Sequence, residues 1–221
     1  FDAPLTHIDQ HQKARCRMLE AEEAIRAGNV PPAALSETFA QMARDASAIG
    51  HTERALHFIN CAVQQAGPTF YLLNLRALYL EGLGDMKRAE EVFRQASDWT
   101  AARFNLALFL HRRGRNEEAL VEVDTLLEED DSPANLVLKA DIVAALGNAS
   151  GSRLYYQDAV SRVDSLDRQP AWALTWLSRS ARIVGQHDLA RHLTAARQRL
   201  LDAQEHEDFS GAVLPDTARV G

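Results

Sequence analysis

The sequence predicts an all-α chain built as a row of helical hairpins, and three observations carry that prediction. Glycines recur at 50, 84, 114, 147 and 185, at spacings of 34, 30, 33 and 38 residues. Small residues stand at fixed distances on both sides of each glycine. No segment alternates polar and apolar residues with the period of two expected of a half-buried strand.

The repeats align as IGHTERAL (49–56), LGDMKRAE (83–90), RGRNEEAL (113–120), LGNASGSRL (146–154) and VGQHDLAR (184–191). Five residues after the glycine come Ala55, Ala89, Ala119, Ser152 and Ala190, and seven before it come Ala43, Ala77, Ala107, Ala140 and Ser178. Twelve after it the first, second and fourth repeats carry Ala62, Ala96 and Ala159, where the others have Leu126 and Arg197. Glycine ends a helix because it enters the left-handed conformation without a Cβ penalty. The small residues then let two antiparallel helices approach closely. Bulkier Ile59, Phe93, Val123 and Tyr156, nine after the glycine, fill the space between hairpins, a place taken in the last repeat by Thr194.

This pattern resembles the tetratricopeptide repeat (TPR) family over about residues 33–205, best in YLLNLRALYLEGLGDMKRAEEVFRQA (71–96) and ARFNLALFLHRRGRNEEAL (102–120). The resemblance implies a right-handed α-solenoid of about five TPR-like hairpins with an extra N-terminal helix. Departures are the spacings of 30 and 38, the Gly and Ser residues of NASGSR at a helix start, and Thr194.

Periodicity places eleven helices near 5–27, 33–49, 51–65, 69–82, 85–96, 99–112, 115–128, 133–145, 150–164, 170–183 and 186–205. Ser132 is the expected N-cap before Pro133, and Pro170 opens the next-to-last helix. Residues 1–32 form a capping helix or the end of a preceding repeat, 33–205 the hairpin array and 206–221 a C-terminal tail. That tail is either a linker or a segment whose Phe209, Val213 and Leu214 fold back over the last helix.

The chain has 221 residues, 46% hydrophobic and 25% charged, with 24 Lys+Arg against 31 Asp+Glu and a net charge of −7. That is the composition of a globular chain rather than a disordered one. The apolar runs are too short to span a bilayer, so no membrane insertion is expected. An acidic chain without a segregated basic face is a poor nucleic-acid binder. Two cysteines, Cys16 and Cys61, make no disulfide framework. The chain opens with Phe1 rather than Met, pointing to a fragment or a processed form. The cytoplasm is slightly favoured, with the periplasm or export open if a signal was removed.

His7 and His11, four apart, share a helix face, but no third or fourth ligand joins them, so no metal and no cofactor is expected. No nucleophile elbow, phosphate loop or H-E-x-x-H is present, and the reading is not an enzyme. The acidic run EEDD (128–131) precedes a helix start, where the dipole favours anions. In HRRGRNEEAL (111–120) Arg112 and Arg113 stand in the last turn of one helix and Glu117 and Glu118 in the first turn of the next. The stretch is therefore a hinge, and only His111 is left facing the groove.

In TPR proteins the first helix of each hairpin lines a concave groove with residues 13, 10, 6 and 3 before the turn glycine. Carried over, these are Glu37, Ala40, Arg44 and Ser47; Tyr71, Asn74, Leu78 and Glu81; and Ala101, Phe104, Leu108 and His111. The last two repeats give Ala134, Val137, Asp141 and Ala144, then Trp172, Thr175, Arg179 and Arg182. The partner-binding expectation rests on Tyr71, Asn74, Leu78, Phe104, Leu108, His111, Val137, Asp141, Trp172 and Arg179. An apolar middle flanked by arginines suits an amphipathic helix or an extended apolar segment of a protein partner, in a scaffold, adaptor or chaperone. It lacks the Lys, Arg and Asn set of the carboxylate-gripping TPR subgroup. The alternative is a spacer or assembly segment of a larger protein, possible as a homo-oligomer through a terminal hairpin.

Overall fold

In the computed structural model the described residues are 3–163 and 170–206, with side chains described between 10 and 201. They form α1 (Ala3–Arg26), a 3-10 turn (Pro32–Ala34), α2 (Leu35–Ala48), α3 (Thr52–Ala66), α4 (Phe70–Gly82) and α5 (Met86–Gln95). There follow α6 (Thr100–Arg112), α7 (Asn116–Glu129), α8 (Pro133–Ala145), α9 (Ala149–Ser161), α10 (Ala171–Ile183) and α11 (His187–His206). No strand occurs among these residues. The chain is all-α, and consecutive helices pair as hairpins of the TPR type.

The turn glycines end helices as their spacing predicts. All five have φ between 74° and 87°. At Gly84 the amide donates to the Glu81 carbonyl (3.0 Å) and the Asp85 amide to the Leu80 carbonyl (2.9 Å). The Gly114 turn repeats this with His111 (2.9 Å) and Leu110 (3.0 Å). These paired bonds satisfy carbonyls that a helix end leaves open, and the reversal needs a residue that tolerates positive φ. The small residues of the ladder are all buried, from Ala43 and Ala55 in the first hairpin to Ser178 and Ala190 in the last. In that last hairpin Ser178 Oγ donates to the Ala190 carbonyl at 3.0 Å and shares a hydrogen bond with the Thr194 hydroxyl at 2.9 Å.

Several helix starts differ from the sequence expectation for local reasons. Ser132 sits at the N-cap of α8 but its side chain makes no capping bond. Asp130 organises that start instead: its Oδ1 accepts from the Ser132 amide (3.1 Å), and its Oδ2 and carbonyl accept from Asn135 Nδ2 (3.0 and 2.8 Å). Pro170 is the N-cap of α10 rather than its first residue. Pro32–Ala34 form a 3-10 turn, so α2 begins at Leu35. The unpromising NASGSR does start a helix, because Asn148 Oδ1 accepts from the Gly151 amide at 2.9 Å. A Cβ at Gly151 would stand 2.6 Å from the Asn148 side chain, so glycine makes room for the cap.

The chain divides into two compact units, residues 1–102 and 103–221. In the first, Met18, Met42, Phe58, Ile59, Leu72 and Leu75 form the core. Helix α1 joins it through Ala14 and Met18, both buried, with Ala21 and Ile25 packed against the same cluster. These four lie on one helical face. Two ion pairs hold α1 in place, Arg54 with Glu22 and Arg17 with Asp45. The Asp45 side chain is buried, and Arg17 grips it through Nη2 (2.5 Å) and Nε (3.3 Å). A buried carboxylate without that partner would be costly. In the second unit Leu136, Val137, Tyr156, Leu174, Leu177 and Leu193 form the core. Lys139 ties α7 to α9 there, with Asp124 at 2.7 Å and the Tyr155 ring centroid at 4.6 Å. The expected fold-back of Phe209, Val213 and Leu214 lies outside the described residues.

Candidate functional site

Each unit presents its own set of the residues expected to meet a partner. In the first, Tyr71 and Leu78 of α4 are half-buried and Asn74 between them is buried. Arg44 of α2 reaches Tyr71, donating to its hydroxyl with the guanidinium carbon 5.7 Å from the ring centroid. The same guanidinium donates to Glu37 Oε1 at 2.9 Å and to Gln41 Oε1 at 3.0 Å. Arg44 is therefore committed to its own neighbours. Burial pushes the nearby Tyr79 hydroxyl up to about 12, with the Arg44 charge opposing.

The second unit is built differently. Phe104, Leu108 and His111 follow one face of α6 at the spacing that puts side chains above one another. Phe104 is 7% exposed and meets two indoles of α10, with ring centroids 5.4 Å from Trp172 and 5.7 Å from Trp176. The two indoles stand edge-to-face, 6.0 Å apart at 84°, and both are half-buried. Such a cluster is a favourable aromatic arrangement with apolar area left at its surface. Arg179 lies seven residues beyond Trp172 on the same face. It pairs with Asp141 of α8, whose other oxygen accepts from the Tyr156 hydroxyl of α9. Burial and then the hydrogen bond to Asp141 push Tyr156 up to about 12. The network holds Arg179 against Asp141 while leaving its side chain half exposed.

Val137 requires a correction: it was expected at a partner-facing position, but it is fully buried in the core with Leu136, Ala140 and Leu174 and has no surface to offer. Its side chain fills the contact between α8 and its neighbours, and Ala40, Asn74 and Phe104, which share its offset of ten before the turn glycine, are buried as well. His111 is half-buried, with Nδ1 2.8 Å from Asn116 Oδ1 across the Gly114 turn. Trp176 was missed because it lies nine before Gly185, off the groove offsets. Its place four residues after Trp172 was the available signal. Tyr156 was expected only as a space-filler and also orients Asp141.

Other candidates stand apart. The His7 side chain lies outside the described residues, and His11 is exposed. No three His, Cys, Asp or Glu side chains converge on a metal position among the described residues. Cys16 and Cys61 are both free thiols, and burial pushes the Cys61 thiol up. No helix among the described residues is long and apolar enough to cross a membrane.

No family model matches the sequence, and no curated protein matches it. Solved structures are similar in fold. A tetratricopeptide repeat protein from Parabacteroides merdae superposes with a TM-score of 0.60 at 14% identity, over 90% of this chain and 80% of that one. A thermophilic TPR protein of Thermus thermophilus gives 0.54 at 16% identity, over 77% and 96%. PilF of Pseudomonas aeruginosa gives 0.52 at 18% identity, over 89% and 97%. At such identities the likeness is one of fold.

Proposed function

We propose, from the premise that this chain has a TPR-like fold, that it is a protein-binding scaffold which holds an apolar segment of a partner on the α6–α8–α10 face of its second unit. The segment is an amphipathic helix or an extended strand whose side chains cover Phe104, Leu108, Trp172 and Trp176. The observation that carries this reading is the three-ring cluster with two half-buried indoles. Covering aromatic area that already stands in a fixed arrangement gains hydrophobic free energy at little entropic cost. Arg179, held by Asp141, supplies a polar group of fixed direction at the edge of that apolar patch. Interface anchors are commonly Trp and Arg for these reasons. The first unit supports this division, since its arginine is already satisfied internally.

Affinity capture from the source cell, comparing wild type with Trp172→Ala and with Tyr71→Phe, tests the proposal. Partner recovery falls at least about tenfold for Trp172→Ala, as expected of an anchor residue, and stays level for Tyr71→Phe. Equal recovery with all three proteins, each verified folded by circular dichroism, contradicts it.

A further inference from the structure

Among the departures of the last hairpin from the others, the one nine residues after its turn glycine shapes a second surface. Nine residues after the turn glycine, Ile59, Phe93, Val123 and Tyr156 are all buried, while Thr194 is exposed. With Ala190, Thr194 and Ala195 along its floor, α11 and the end of α10 leave a shallow open concavity rimmed by Arg182, His187, Arg191 and Gln198. Thr194 Oγ1 lies 2.9 Å from the Ala190 carbonyl and 2.9 Å from Ser178 Oγ, so the one hydroxyl on a floor otherwise of alanine methyls is satisfied within the hairpin. Residues 179–199 hold five arginines and two histidines against the single acid Asp188, in a chain of net charge −7; Arg179 is paired with Asp141, and Arg182, His187 and Arg191 line the concavity. Arg153 adds a further guanidinium beside the turn, donating to the Ile183 carbonyl at 2.9 Å. Asp188 pairs with Arg191, but the two side chains are 84% and 76% exposed, and a pair so exposed is easily exchanged for another carboxylate.

We propose that this concavity binds an acidic peptide segment, its Asp and Glu carboxylates reaching Arg182 and Arg191 over the small-residue floor. The observations favour a peptide over a nucleic acid. A polyanion gains affinity by having many phosphates neutralised along a long basic face, and here the positive patch is short and the rest of the chain acidic. The floor of Ala and Thr admits a backbone close to the helix, which a bulky residue at 194 would prevent.

Fluorescence anisotropy of the full chain with a labelled peptide of alternating Glu and Ser, and with an oligothymidylate of equal charge, decides the matter. The wild type binds the peptide, more weakly as salt rises, and prefers it to the oligothymidylate. Arg182→Glu with Arg191→Glu lowers peptide affinity about tenfold or more, from two lost and reversed contacts. The uncharged change Thr194→Leu also lowers it by refilling the floor. Arg26→Glu, an exposed arginine of α1, leaves affinity unchanged, as does Trp172→Ala, so the aromatic face and this concavity fail or succeed independently. No peptide binding, equal loss with Arg26→Glu, preference for the oligothymidylate, or a doubled molar mass abolished by the Arg182/Arg191 variant would each overturn the proposal.

Discussion

Arg44 and Arg179 occupy the same register, six residues before a turn glycine, one in each unit. Their surroundings differ. Arg44 is 28% exposed and is shared among Glu37 and Gln41 of its own helix and Tyr71 of α4. Arg179 is 50% exposed and leans on one carboxylate, Asp141, which stands in the same register of the preceding hairpin. One arginine closes a local network, while the other is held by a single carboxylate of the neighbouring hairpin, on the helix that carries the two indoles. Register alone does not set the role of a repeat position; the partner supplied by the adjoining helix does.

The largest test of this contrast is the aromatic cluster. Phe104→Ala should cost about 3–5 kcal/mol, since it empties a buried site against two indoles, whereas Leu78→Ala at a half-buried site of the first unit should cost less than half as much. Urea unfolding followed by tryptophan fluorescence measures both. Next is the carboxylate. Asp141→Ala leaves the buried Tyr156 hydroxyl without its acceptor and releases Arg179, for about 1–3 kcal/mol. Tyr71→Phe should cost under about 1 kcal/mol, because Glu37 and Gln41 still hold Arg44. If the two substitutions cost the same, the contrast between the networks is broken.

The smallest effect is one the units share. Tyr79 and Tyr156 both rise from 10.0 to about 12, mainly by burial. Through that window the unfolded chain loses phenolic protons that the folded chain keeps. The tyrosines' contribution to stability is therefore complete below pH 10 and declines as pH rises toward 12. Between about pH 9 and about pH 10.5 the melting temperature should fall by a few degrees, and Tyr156→Phe should flatten the second unit's share of that fall.

The helices and their turns were legible because glycine and the small residues answer to one constraint, the close approach of two helices at a reversal. Ala55, Ala89, Ala119 and Ala190 are all buried at the spacing that announced them. The face was less legible. Phe104, Trp172 and Arg179 come together with Trp176 and Tyr156, which no groove offset indicates. Val137 shares its offset with Ala40, Asn74 and Phe104, all buried, because that position of a hairpin's first helix is turned toward neighbouring side chains rather than outward. Caps escaped for a similar reason. Asp130 and Ser132 are both good acceptors near the start of α8, and backbone geometry selects Asp130.

The central claim is that a partner lies on the aromatic face of the second unit. A photo-reactive phenylalanine analogue placed in turn at residues 108, 172, 71 and 78, with Leu154 of α9, 66% exposed, as a control site, tests it most directly in the source cell. The claim predicts covalent partner adducts from residues 108 and 172 and none from 71, 78 or 154. Adducts confined to 71, 78 or 154, or no adduct from 108 and 172, would contradict it.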